Sequence, residues 1–210
     1  MNGAIMNLAA QCSSRLAQAL IGAIMACAWL YFAVLHVRAF DAGGNPSYLV
    51  FCVTETLTAV LFLVRSAPVS VSPDPRDWAL ALGATFLPFL FLPSASAPVP
   101  QAALLVVAGA LVQLSGMLSL NRSIGVVPAL RVLKTGGLYR IVRHPLYASY
   151  LLTFSGYLLS NWSPRNLIVY LLSMALLAVR IGREEAHLAL DSDYRAYMGR
   201  VKFRVLPFVF

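Results

Sequence analysis

Six apolar runs, joined by short turn-rich or basic connections, constrain this chain more than any other feature. They cover about 16–35, 48–64, 78–92, 102–120, 146–160 and 167–181. Each lies near, or slightly short of, the roughly 17–25 residues that carry a helix across a bilayer. Lipid offers backbone N–H and C=O groups no partner, so a spanning segment must be a helix or part of a closed barrel. The periods here are not strand-like. The expected fold is therefore all-α, a polytopic membrane protein with about six transmembrane segments. Composition agrees, with 60% hydrophobic residues, 11% charged and a mean hydropathy of +0.75, whereas a soluble domain is about 25% charged. Pro88 falls inside the third run and is expected to kink it. The last two runs are separated only by NWSPR and are expected to form a tight helical hairpin. Arg15 followed by an apolar stretch and Ala26-Cys27-Ala28 imitates a cleaved signal peptide, but the run continues through Leu35. That is too long for a signal core, so it is read as a retained first span.

The net charge is +8, from 16 Lys+Arg against 8 Asp+Glu. A nucleic-acid partner would need a soluble basic face; here the cations cluster beside apolar spans, where topology accounts for them. With the N-terminus inside and six alternations, 14 of the 16 cations fall inside and only Arg38 and Arg165 outside, as expected of cytoplasmic loops. Both termini and the 121–143 loop are thus expected in the cytoplasm of a multi-pass protein of a bacterial inner membrane. The chain divides into a four-span region, 1–120, and a region 121–210 that carries the chemistry. Cys12, Cys27 and Cys52 match no metal spacing and no disulfide framework, and read as small buried hydrophobes. Gly22 and Ala26 stand at helix-dimer spacing, a weak signal of self-association. A polar helix over about 184–200 carries Leu190, Tyr194, Tyr197 and Val201 at four-three-four spacing, one apolar stripe expected to lie against the helix ends.

Two basic regions converge on that face. In RVLKTGGLYRIVRHPLY, at 131–147, proline disfavours helix at the residue before it and suits the first turn, so His144 reads as a cap and Pro145 as a helix start. Such a start favours an anion, with His144 and Tyr147 beside it. In AVRIGREEAHL, Arg180, Glu184 and His187 follow four-three spacing and share one helix side. The hairpin makes its two ends neighbours, so the pocket holds charges of both signs and suits a zwitterionic amino-acid moiety; carboxylate and tyrosine also suit a sulfonium. The structural alternative is a solvated glutamate pair and a snorkelling Arg180. Glu55, within the second run, either lines a substrate cavity or packs neutral beside Thr54, Thr56 and Thr58. Trp29 and His36 read as a core or lipid-facing aromatic and an interface histidine.

From Arg131 to Phe208 the sequence resembles the isoprenylcysteine carboxyl methyltransferase family and its bacterial and phospholipid-methyltransferase relatives. The resemblance rests on Gly137-Leu138-Tyr139, Arg143-His144-Pro145-Leu146-Tyr147, Arg180 four residues before Glu184-Glu185, Tyr194-Arg195-Ala196-Tyr197, Arg200-Val201 and Leu206-Pro207-Phe208. It implies S-adenosylmethionine bound without a Rossmann domain. Arg131, Val132, Leu133 and Lys134 would run along the cofactor, with Gly137 in the turn and Tyr139 as a cover. His144, Pro145, Leu146 and Tyr147 would hold it at the helix start, Glu184 would bind its polar end with Glu185 close by, and Arg180 would face the methyl acceptor. A lipid-like or prenylcysteine-like acceptor would arrive sideways from the bilayer, with Glu55 a candidate on its path. If the acceptor were an amine, Glu185 or His187 would take its proton. The region between Glu185 and Tyr194 is shorter than in the eukaryotic enzymes, and Lys202-Phe203-Arg204 replaces their proline-containing turn; both departures bear on the acceptor side. Two alternatives remain open. One is a sterol-reductase-like enzyme that binds NADPH, with Arg140 and Arg143 recruited to a ribose phosphate; the other is a non-catalytic lipid-binding protein. A reporter enzyme fused after Phe210 is expected to be active on the cytoplasmic side, and activity on the outer side would overturn the topology.

Overall fold

The hydrophobic runs fold as helices that are unequal in length. In this computed structural model, residues 15–43, 47–92, 94 and 96–209 are described. Cys12 and the side chain of Glu55 lie outside the description. The helices are α1 (Arg15–Gly43), α2 (Ser47–Val64), α3 (Pro75–Phe86), α4 (Ala103–Leu120), α5 (Pro145–Ser160), α6 (Pro164–Leu188) and α7 (Ser192–Arg200). Three stretches are both long and apolar enough to cross a bilayer, Ala19–Ala42, Pro100–Ser123 and Pro164–Leu188, while Tyr48–Val64 is a shorter apolar helix. The all-α membrane character expected from the runs is thus present, and among the described residues three helices by themselves have the length and hydropathy of a crossing. The third run is the clearest departure. Its helix ends at Phe86 and passes into a 3-10 turn, Leu87–Leu90, because Pro88 has no N–H to give and its ring would clash with the carbonyl four residues back.

Close backbone approach holds the α4–α5 pair. A Cβ on Gly109 would stand 2.2 Å from Thr153 Oγ1 and 2.9 Å from the Ser149 carbonyl. One on Gly156 would stand 2.7 Å from the Ala102 carbonyl. Small residues at such contacts let helices pack where lipid supplies no hydrophobic drive. Gly22 is used in the same way within the chain: its position abuts the Phe62 carbonyl on α2 at 2.6 Å, and neighbouring Ala26 is buried. The dimer-like spacing therefore serves the α1–α2 contact.

The hairpin forms as expected, and two polar clamps fix it. At its turn, Ser163 caps α6 by accepting from the Asn166 amide at 3.1 Å. Fully buried Asn166 donates to the carbonyls of Leu92 (2.8 Å) and Asn161 (2.6 Å) and accepts from Leu92 N at 3.1 Å, tying the turn to the end of the third run. At the opposite end, Arg183 of α6 bonds to Asp74 and Asp77 at the start of α3, where Asp74 also caps the helix by accepting from Arg76 N. The two loops at that end pair as short antiparallel strands, β1 (Ser70–Val71) with β2 (Ala129–Leu130), a minor exception to the helix-only expectation.

The expected polar helix over 184–200 is broken in two. Helix α6 runs on to Leu188, and Asp191 then caps α7 by accepting from Asp193 N (2.9 Å) and Tyr194 N (3.0 Å). Leu190 falls in the break and is 76% exposed, so Leu188 takes its place with Tyr194, Tyr197 and Val201 against Leu133. Replacing Gly109 or Gly156 with valine is expected to lower the thermal unfolding temperature in detergent markedly, since neither neighbouring backbone can move aside. Gly182→Ala meets nothing within 4 Å and should instead gain about 0.5–1 kcal/mol.

Candidate active site

At the end of the bundle where α5 begins and α6 finishes, the local geometry follows from one proline. Pro145 occupies the first position of α5, and His144 before it is non-helical (φ −129°, ψ 63°). The His144 side chain does not cap the helix. Its carbonyl accepts instead from Tyr147 N (3.0 Å) and Ala148 N (3.2 Å), and its ring turns to Glu185, with Nε2 and Oε1 3.1 Å apart. The expected anion-binding helix start is reduced accordingly, since Pro145 has no N–H and that of Tyr147 is already used.

Glu185 is the centre of a buried cluster. Arg143 donates through Nε to its Oε1 at 2.7 Å, and Arg204 donates to its Oε2 at 2.9 Å. Arg143 also donates to the carbonyls of Val201 (2.9 Å) and Lys202 (3.2 Å). Backbone bonds from Arg143 N to Phe203 O and from His144 N to Arg204 O run alongside. Glu185 is only 3% exposed, a burial a carboxylate tolerates only when its oxygens are paired.

Glu184, one residue earlier, turns to the other side and lines a cavity of about 230 Å3. Tyr147 donates its hydroxyl to Glu184 and stacks on His144 at 5.3 Å between ring centres. Arg180, one helical turn before Glu184, lies 5.5 Å over the Tyr147 ring. It donates to the hydroxyl of Thr85 at 3.2 Å and to the Val126 carbonyl. It is 7% exposed, forms no ion pair among the described residues, and its Nε is buried without a partner. Neutral oxygens thus hold a buried cation at the cavity wall.

The loop after α4 supplies the facing wall through Arg131, Val132, Leu133 and Lys134. Arg131 donates to the Ser66 carbonyl; burial, with Arg65 nearby, pushes its guanidinium down to about 10. Tyr139, Tyr194 and Tyr197 close the pocket, Tyr197 donating to the Tyr139 carbonyl at 2.7 Å. Burial raises all three phenols, Tyr197 to about 12, so they remain neutral donors. The Tyr194 hydroxyl is buried without a partner.

The structure therefore brings Arg131, Val132, Leu133, Lys134, Tyr139, His144, Leu146, Tyr147, Arg180 and Glu184 to one cavity. Gly137, Pro145 and Glu185 adjoin it without lining it. Gly137 has a positive φ of 57°, and a Cβ there would stand 2.2 Å from Ser119 Oγ, so its part is to shape the turn. His187 sits on the far side, 3.4 Å from Ser70 Oγ. Of the two cations available to a ribose phosphate, Arg140 is exposed, and Arg143 lines the cavity with its Nε bonded to Glu185.

Sequence reasoning missed the rest of the cavity. Trp29, Phe32, Phe62, Phe89 and Phe154 line its far part, together with His36, Thr58 and Gln113. An aromatic on an apolar span looks the same whether it faces lipid, core or cavity; the polar Gln113 within α4 was the available signal.

These observations define the class: an integral-membrane protein whose helices enclose a cavity that is ionic at one end and aromatic at the other. Residues 99–191, from the turn before α4 to the cap of α7, match the family model described as phospholipid methyltransferase. No curated protein matches the chain. The split roles of the adjacent glutamates give a direct test. Glu185→Gln leaves Arg143 buried without its partner and is expected to cost about 3 kcal/mol or more, read as thermal unfolding in detergent. Glu184→Gln should stay within about 1 kcal/mol of the parent.

Proposed function

We propose that this protein transfers a methyl group from S-adenosylmethionine to the carboxylate or phosphate of a lipid-like acceptor, in the manner of the isoprenylcysteine carboxyl methyltransferases. The observation that carries the reading is Arg180. A buried guanidinium held only by neutral oxygens keeps its full charge for an anionic ligand, and it faces Glu184 across the Tyr147 ring. One cavity thereby offers a cation for the acceptor and a carboxylate for the donor.

The residues present fit the donor. Glu184 would bind its ammonium, the backbone of 131–134 and the ring of Tyr139 would flank its nucleoside, and the unpartnered Tyr194 hydroxyl supplies a hydrogen bond within the same pocket. The donor brings a methyl group already activated on a sulfonium, so the protein's task is alignment and placement of charge. Arg180 would orient the acceptor's oxygens by a forked contact. Tyr147, fixed by its bond to Glu184 and its stack on His144, would hold the floor on which both meet and exclude water from it. A carboxylate acceptor loses no proton on methylation. That suits a site in which Glu185 is occupied by Arg143, His144 and Arg204 and His187 faces β1. The aromatic far end, formed by Trp29, Phe32 and Phe154, supports an apolar tail.

Calorimetry on detergent-purified protein is expected to detect S-adenosylhomocysteine and not NADPH; the opposite result would sink the methyltransferase reading. Glu184→Gln should weaken the nucleoside by about tenfold or more, the loss of a charged hydrogen bond. Arg180→Ala should leave that affinity within about twofold and lower turnover by about a hundredfold.

A further inference from the structure

The cavity changes character midway along its length. Gln113 projects from the middle of α4, is 7% exposed and lines the cavity, and its side-chain amide has no hydrogen-bond partner among the described residues. On the neighbouring helix, Thr153 also lines the cavity, but its Oγ1 is enclosed against Gly109 of α4 and is not open to a ligand. Thr58 faces the same space but gives its hydroxyl hydrogen to the Thr54 carbonyl at 2.8 Å, so it can only accept. A threonine in a helix ordinarily bonds back to the preceding turn; Thr153 does not.

An amide that opens into a largely apolar cavity gains nothing from aromatic neighbours and calls for a polar partner there. Leucine would fill the same space without that need. The unmet valences are those of a neutral group, an amide with two N–H donors and one carbonyl. Among the described residues no charged side chain joins it at this level.

The helix ladder sets the depth. Leu146, at the start of α5, packs on Gly116, and Thr153 packs on Gly109; Gln113 lies between these levels. At 1.5 Å per residue it stands about 4.5 Å along α4 beyond the level of Leu146 and Tyr147, away from the ionic end. We infer that Gln113 is a specificity site for a neutral oxygen function, a hydroxyl or carbonyl, carried on the acceptor's tail about one helical turn from the group that meets Arg180. The inference rests on the proposed function only in taking Arg180 as the anchor of the acceptor's anionic end. It separates an oxygenated lipid from a plain hydrocarbon chain, which the aromatic lining alone would accept equally.

The test uses the purified full chain with hexadecanoic acid and its analogues hydroxylated singly at the third to the eighth carbon, with binding read by calorimetry. One or two adjacent hydroxyl positions are expected to bind about tenfold more tightly than the plain acid, the return of one buried hydrogen bond. In Gln113→Leu that preference should vanish, while the plain acid binds as well or better. Equal binding of all the acids, binding of none of them, or a preference that survives in Gln113→Leu overturns the inference and leaves the Gln113 amide to water. S-adenosylhomocysteine affinity, measured on the same samples, controls for folding of the variant. Its absence from the parent protein, with the hydroxyl preference intact, would count against methyl transfer and not against this site.

Discussion

A buried carboxylate surrounded by three cationic or hydrogen-bonding side chains holds the working end of this protein together. Taking Glu185 out of water is expensive, and the burial is sustained because Arg143, His144 and Arg204 all reach its two oxygens. Those three partners come from the start of α5 and from the segment after α7, so one interaction joins parts of the chain far apart in sequence. The cluster also frees its neighbour. Successive residues on a helix point about 100° apart, so with Glu185 turned into the cluster, Glu184 must face the cavity. Arg180, a turn earlier, shares that face.

The second constraint is lipid. Helices in a bilayer gain nothing by hiding apolar surface from one another, so contact depends on how closely they can pack. Gly109 and Gly156 bring α4 and α5 to backbone contact, and Gly22 does the same for α1 and α2. Where bulky rings intervene, as with Trp29 against Phe62 at 5.1 Å and Phe89 at 5.8 Å, they line the cavity as well as filling the core. The cavity runs from charged, through neutral polar, to aromatic, which is the profile of an amphiphile with its head at the α5 start.

Much of this end of the molecule was legible beforehand. The short NWSPR connection required a hairpin, the hairpin required its two ends to be neighbours, and four-residue spacing placed Arg180 and Glu184 on one face. His144 and Glu184-Glu185 do meet. The division of labour between the two glutamates was not legible, because adjacent identical residues carry no label for the face each will take. His187 falls outside the cavity lining for a related reason: a helical face is wide, and three residues on it need not point into the same space. The break at Leu190 had a signal in Asp191 before Ser192 and Asp193, a helix cap that the apolar stripe overrode.

The sequence by itself determined a helical membrane protein, the hairpin, and a pairing of opposite charges at its open end, since hydrophobic length, turn chemistry and helical period are local properties. Where each helix ends, which glutamate is locked away, and what the first three helices contribute to the cavity were decided only in three dimensions. The reason is physical. A side chain's partner and exposure depend on what packs opposite it, and for an aromatic or an amide on an apolar helix, nothing within a few residues of sequence specifies that.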